Sequence, residues 1–124
     1  MTPPAPMTPI AIDADVLAVA KDFGLDPSLL QAVVAAEGNI VRAVQCSVPA
    51  VTTRAAALRI TARSCVHAMV DWIKSGPGDN IERRDAFIAF WANRWAPRGA
   101  ANDPHNLNAN WASNVSRLWM PKEL

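Results

Sequence analysis

Glycine and proline divide this chain into segments of helical length. Gly24 and Gly38 each follow an apolar periodic run, and the sequence Gly76-Pro77-Gly78 closes the longest one. Glycine is favoured just past the C-terminus of a helix and proline cannot continue one, so these positions mark helix ends. Apolar residues recur at helical spacing between the breaks. The predicted helices cover residues 12–24, 26–37, 52–75, 81–95 and 107–119.

The pattern predicts an all-α protein with a single compact domain of about five helices over residues 12–124. Residues 39–52 lose clear periodicity and contain Pro49, so we expect a loop or a brief extended segment there. Residues 1–11 are rich in proline and predict a short extended N-terminal arm.

Apolar side chains at helical spacing predict the core faces of the last three helices. In the longest helix the predicted face is Ala62, Val66, Met69, Val70 and Ile73. In the next two it is Phe87, Ile88, Trp91 and Trp95, followed by Leu107, Trp111, Val115 and Leu118.

The net charge disfavours strongly electrostatic partners. The 124 residues carry a formal charge of +1, which argues against a partner such as duplex DNA. A helix-turn-helix reading of residues 29–44 is disfavoured because no basic recognition helix follows. No apolar run approaches the ~20 residues needed to span a bilayer, so we expect no membrane insertion. The N-terminal sequence lacks a basic region and an apolar run, so we expect no signal peptide.

Glu37 is the main candidate for chemistry. It lies three, four and seven residues after Val34, Val33 and Leu30, so it shares their apolar face. Burial and the negative end of the helix macrodipole both disfavour a carboxylate there, which predicts a protonated acid. A neutral carboxylic acid near pH 7 is what general acid catalysis requires. The alternative is that Glu37 lies at the helix edge and reaches solvent past Gly38.

The soft metal ligands do not form a recognisable site. Cys46, Cys65, His67 and His105 offer four such ligands, but Cys65 and His67 are two apart in a predicted helix and face different directions. No Cys-x-x-Cys motif is present. We therefore expect ordinary buried thiols, no metal and no cofactor.

Two runs of sequence resemble the lytic transglycosylase-type domain of the lysozyme-like superfamily, in its phage or prophage forms. In residues 24–37, an aliphatic helix opens with Asp26-Pro27 and ends in Glu37. Residues 87–111 carry an aromatic-Ala-Pro, an Asn-Asp-Pro and a final Asn-aromatic sequence, a combination similar to small phage-encoded cell-wall lytic proteins.

The resemblance implies a peptidoglycan-cleaving enzyme with a lysozyme-like fold. Glu37 would be the general acid and base acting on the bond between N-acetylmuramic acid and N-acetylglucosamine. The expected partners are glycan strands and, for a virion component, tail or baseplate proteins. The expected location is a phage virion or the host cytoplasm, with action at the bacterial cell wall. The candidate substrate-binding residues are Asn39, Ser47, Trp91, Trp95, Asn102, Asn108 and Asn110.

Three departures from the family pattern keep an alternative open. Gly38 stands where serine usually follows the acid, no Gly-Leu-Met-Gln-like segment follows, and the chain contains no tyrosine. The alternative is a catalytically degenerate, lysozyme-like structural component of a phage tail or baseplate. A hydrolase would need a second acid, for which Asp103 is the best candidate, although Asp-Pro in a turn more often shapes the turn.

Overall fold

A computed structural model describes residues 12–74, 84–95 and 110–119 of the chain. This part is an all-α single domain of six helices, with no strand among the described residues. The helices are α1 (Ala14–Phe23), α2 (Pro27–Glu37), α3 (Ile40–Gln45), α4 (Arg54–Lys74), α5 (Arg84–Trp95) and α6 (Trp111–Leu118). The predicted fold class is confirmed. The N-terminal arm lies outside the described residues, as do Ile81 and Leu107, where the last two helices were predicted to begin.

The ends of the first two helices lie where their caps predict. Asp13 caps α1 by accepting a hydrogen bond from the Val16 amide at 2.9 Å, and Asp26 caps α2 through the Ser28 amide at 2.9 Å. Gly24 ends α1 in the left-handed region, with a φ of 69°. An L side chain rarely adopts that conformation, which is why glycine suits this stop.

The short helix α3 corrects the prediction of a loop over residues 39–52. Asn39 caps it, because its Oδ1 accepts a hydrogen bond from the Arg42 amide at 3.1 Å. Ile40 and Val44 lie one turn apart and are both buried. A single turn with one apolar pair gives too little periodicity to be recognised in the sequence, so tertiary burial is what stabilises this helix.

The buried face of α4 differs from the predicted one. Val70 and Ile73 are 43% and 57% exposed, and Val66 and Met69 are only partly buried, although Ala62 is fully buried as predicted. The buried residues of this helix are Ala57, Leu58, Thr61, Ala62, Cys65 and Ala68. Most are small, so neighbouring helices can approach α4 closely, and α1, α3 and α5 all pack against it. Small side chains carry a weak periodic signal, which explains the misplaced face.

Helices α2 and α6 pack against each other and run antiparallel. Trp111 at the start of α6 bonds Glu37 at the end of α2, and Trp119 beyond α6 bonds Asp26 before α2. Helix α5 packs on both α4 and α6. Among the described residues, none of the helices is both long and apolar enough to span a membrane.

Candidate functional site

Glu37 occupies the last position of α2, on the side of the helix that faces α5 and α6. Its side chain is partly buried. The three positions before it follow the buried segment Leu29–Val33, and two of them, Val34 and Ala36, pack partly against the same core. The acid therefore turns toward the neighbouring helices and does not reach past Gly38 into open solvent.

Two indole N–H groups meet at one oxygen of this carboxyl group. Trp95 donates from its Nε1 to Glu37 Oε1 at 3.0 Å, and Trp111 donates to the same oxygen at 2.6 Å. These partners lie 58 and 74 residues away along the chain. The acid at the end of α2 is thus bonded to the end of α5 and the start of α6.

Aromatic packing fixes the two donors. Trp111 is only 5% exposed and meets the ring of Trp91 edge-on, with ring centroids 5.4 Å apart and planes at 86°. Trp95 lies one turn beyond Trp91 on α5, and their centroids are 6.2 Å apart. Such edge-on and tilted arrangements are the favoured geometries of aromatic pairs. Both indoles are therefore held in place by Trp91 as well as by the acid.

Among the described residues, hydrogen-bond donors reach only one oxygen of this carboxyl group. An indole has a single N–H donor and no acceptor, so neither tryptophan can receive a proton from Glu37. Both bonds fall on Oε1, and no described residue donates to Oε2. Oε2 is therefore the oxygen that can carry or accept a proton in a reaction.

Two of the predicted substrate-binding asparagines lie next to this cluster in the chain. Asn39 is two residues after Glu37 and is exposed. Its Oδ1 caps α3, which leaves the cap bond independent of its amide N–H groups. Asn110 directly precedes Trp111, is exposed, and its side chain makes no capping hydrogen bond to α6. Both are exposed polar side chains close in the chain to a member of this cluster.

Other predicted residues are placed differently. Trp91 is fully buried and its Nε1 donates to Ser64 Oγ at 2.9 Å, so this ring has no surface to offer a sugar and acts in the core. Ser47 is exposed just beyond α3, and no described contact joins it to Glu37. Asn102, Asn108 and the second acid candidate Asp103 lie outside the described residues.

The expectation of buried thiols is confirmed for Cys65 and wrong for Cys46, which lies exposed just past the end of the short helix α3. Cys65 is buried in α4, and burial raises the pKa of its thiol to about 12. Cys46 is exposed, and its thiol donates to the Arg42 carbonyl at 3.5 Å. His67 is exposed on α4 while Cys65 is buried, so these two side chains lie on different faces as their spacing predicts.

One further bond, between Trp119 and Asp26, could not be predicted from the sequence. The Nε1 of Trp119 donates to Asp26 Oδ2 at 3.1 Å, across 93 residues. An indole is thus bonded to an acid at both ends of α2. Spacing within one helix cannot reveal such a pairing, because it depends on how α2 and α6 are arranged in space.

Comparison with known proteins finds no significant match to any protein family, curated protein or solved structure.

Proposed function

We propose that this protein cleaves the glycan strands of peptidoglycan, as a phage-associated lytic transglycosylase or muramidase-like enzyme, with Glu37 as the general acid and base. The observation that carries the proposal is the fixed, partly buried carboxyl group of Glu37, whose Oε1 accepts two indole N–H groups while no described residue donates to Oε2. A catalytic acid must be positioned as well as protonated, and this arrangement positions it.

The proposed reaction begins with proton donation. Glu37 Oε2 gives its proton to the oxygen that links N-acetylmuramic acid to N-acetylglucosamine, and the bond from that oxygen to the muramic C1 breaks. The resulting carboxylate then takes the proton of the same sugar's 6-hydroxyl while that oxygen bonds to C1. An anhydro ring forms, and Glu37 regains its proton.

One carboxyl group suffices for this reaction. Hydrolysis would need a second carboxylate to activate water or to form a covalent intermediate. No other Asp or Glu is bonded to the Glu37 cluster among the described residues. Intramolecular capture by the 6-hydroxyl removes that requirement, because the nucleophile belongs to the substrate.

Two side chains that are close in the chain to Glu37 or to its donor Trp111 are proposed to bind substrate. Asn39 and Asn110 are exposed and can bond acetamido and hydroxyl groups of the sugars. Trp95 is partly buried, so part of its ring remains available for stacking while its N–H holds the acid.

The second candidate function is a structural component of a phage tail or baseplate that has lost catalysis. One observation favours it. The two indole bonds give Glu37 a task in joining α2, α5 and α6, so the residue has a structural role that needs no chemistry.

Substitution of Glu37 by glutamine separates the two functions. The amide oxygen of glutamine can accept both indole bonds, but the side chain can neither give nor take the proton. We expect a loss of ~10²–10⁴-fold in the rate of peptidoglycan lysis, with a melting temperature close to that of the wild type. Turbidity of purified peptidoglycan measures lysis, and calorimetry measures the melting temperature.

Asp26→Asn is the matched control, because it makes the same change at the other end of α2, where an acid also accepts an indole bond. Lysis should persist in this variant. Wild-type lysis by Glu37→Gln would show that another residue is the acid.

Mass analysis of the products identifies the reaction. An anhydromuramoyl end is lighter by one water than a hydrolysed end, and we expect the lighter product. Only hydrated ends would exclude transglycosylation and direct the search to Asp103. Absence of cleavage by the folded wild-type protein would favour the structural function.

A further inference from the structure

A separate cavity lies between α4 and α5. Its lining includes Ser64, the residue that accepts the Trp91 indole N–H. The cavity has a volume of about 360 Å³ and is lined by Ile60, Arg63, Ser64, His67 and Arg94. This volume falls within the range of small-molecule sites, which is ~300–1,000 Å³. Neither the proposed catalysis nor the predicted substrate residues involve this cavity.

Every polar side chain among the described lining residues can donate a hydrogen bond, and none of these residues is a carboxylate. Arg63 and His67 lie one turn apart on α4 and so share a face. Arg63 forms no ion pair within the described part of the chain. A guanidinium with no carboxylate partner among the described residues, beside an imidazole, attracts an anion more strongly than either group alone.

Arg94 is held in a fixed orientation at the edge of the cavity. Its Nη1 bonds Asp71 Oδ2 at 2.6 Å, and its guanidinium carbon lies 4.7 Å from the centre of the Phe90 ring. A guanidinium has five N–H donors, so the single bond to Asp71 leaves others for a ligand. Its position is set before any ligand arrives, which reduces the entropy lost on binding.

Ser64 completes the set of donors. Its Oγ accepts the Trp91 indole N–H at 2.9 Å, and no described group accepts the hydroxyl hydrogen. That hydrogen can be donated to a ligand while the indole bond persists.

We propose that this cavity binds an oxyanion, the phosphate or carboxylate group of a ligand, through Arg63, Ser64, His67 and Arg94. Phosphate and carboxylate both present two or more acceptor oxygens, which match the fork of a guanidinium. The site is separate from the proposed lytic site: none of its described residues is hydrogen-bonded to Glu37, and Ser64 is linked to the Glu37 donors only through the buried ring of Trp91.

The test is a titration of the full-length protein with inorganic phosphate and, separately, with glutarate, at constant ionic strength maintained with chloride. The Trp91 indole N–H resonance reports on the cavity through Ser64, and the Trp119 resonance, bonded to Asp26 on α2, is the internal reference. We expect a saturable shift at Trp91 and no comparable shift at Trp119. Tighter binding of phosphate would identify a phosphate ligand, and tighter binding of glutarate a carboxylate ligand.

Arg63→Gln should weaken binding by about tenfold or more, since a charge-assisted hydrogen bond is lost. The variant should keep its melting temperature, because Arg63 is exposed. Arg59→Gln is the matched control: Arg59 lies one turn earlier on α4, outside the cavity, and is paired with Asp22. The proposal is overturned if neither anion gives a saturable shift beyond that of chloride, or if Arg63→Gln binds as the wild type does.

Discussion

The two ends of α2 each place a carboxyl group against a tryptophan, but the local energetics differ. Asp26 precedes the helix, where its Oδ1 accepts hydrogen bonds from the Ser28 amide at 2.9 Å and the Ser28 hydroxyl at 2.7 Å. An acid is favoured there because free amides and the positive end of the helix macrodipole both stabilise negative charge. Its indole bond from Trp119 adds to a position that is already favourable.

Glu37 lies at the unfavourable end. The negative end of the macrodipole opposes a carboxylate, and no basic residue occupies the last turn of α2. Within the described part of the chain, the groups bonded to this carboxyl group are the indoles of Trp95 and Trp111, which are tertiary contacts. The presence of an acid at position 26 is explained by the helix that Asp26 caps. The presence of an acid at position 37 needs a reason from outside α2. Catalysis and the joining of helices are the two reasons proposed above.

The largest expected effect on stability comes from the donor at the Glu37 end. Trp111→Ala should lower the free energy of unfolding by ~3–5 kcal/mol, because it empties a buried position and removes a bond to Glu37. Trp119→Ala should cost less, since Trp119 is only partly buried. Urea denaturation of both variants measures the difference. Equal losses would mean that the two ends of α2 are held equally strongly.

The next effect compares the acceptors. Glu37→Ala leaves two indole N–H groups without their acceptor, at about 1–3 kcal/mol for a buried group and less for the partly exposed Trp95. Asp26→Ala should cost about 1 kcal/mol through the lost cap, in addition to one indole bond. Thermal melting of Glu37→Ala, Asp26→Ala and Glu37→Gln compares the stability lost with the indole acceptors and the stability lost with the helix cap. If Glu37→Ala were as stable as Glu37→Gln, the indole bonds would contribute nothing to the fold.

The contrast also explains which parts of the molecule could be predicted from sequence. Gly24, Gly38 and the Asp26-Pro27 pair signal helix ends through their own backbone chemistry, so the ends of the first two helices were predicted closely. The position of Glu37 on the buried face followed from spacing to Val33 and Val34. Its two donors could not be predicted, because they depend on contacts across 58 and 74 residues.

Other failures have local causes. The buried face of α4 was misplaced because alanines form much of it, while the larger Val70 and Ile73 are exposed. Helix α3 was missed because a single turn has little periodicity. The family resemblance made Trp91 a candidate for substrate binding, while its spacing placed it on a core face. Its full burial and its bond to Ser64 are what distinguish it from Trp95.

The smallest expected effect concerns a second helix cap with a charged partner. Asp13 caps α1 as Asp26 caps α2, but it is bonded to the guanidinium of Arg54, at 2.7 Å between Oδ2 and Nη2. The hydrogen bond from Arg54 holds the pKa of Asp13 below its ordinary value of 3.8. A carboxyl group whose pKa is lowered by folding stabilises the protein fully above the unfolded value. That contribution is lost as the pH falls below 3.8 and through the folded pKa.

Arg54→Gln should therefore destabilise the protein at pH 7 by about 0.2–1 kcal/mol, the range for exposed ion pairs, since the two side chains are 39% and 41% exposed. The difference from the wild type should shrink as the pH falls below 3.8, because protonated Asp13 no longer attracts the guanidinium. Urea denaturation at pH 7 and at a pH below the folded pKa measures both values. Arg63→Gln is the control on the same helix, and its difference from the wild type should not change with pH in this way. A deficit for Arg54→Gln that is equally large in acid would show that Arg54 acts through packing of its aliphatic chain and not through the charge of Asp13.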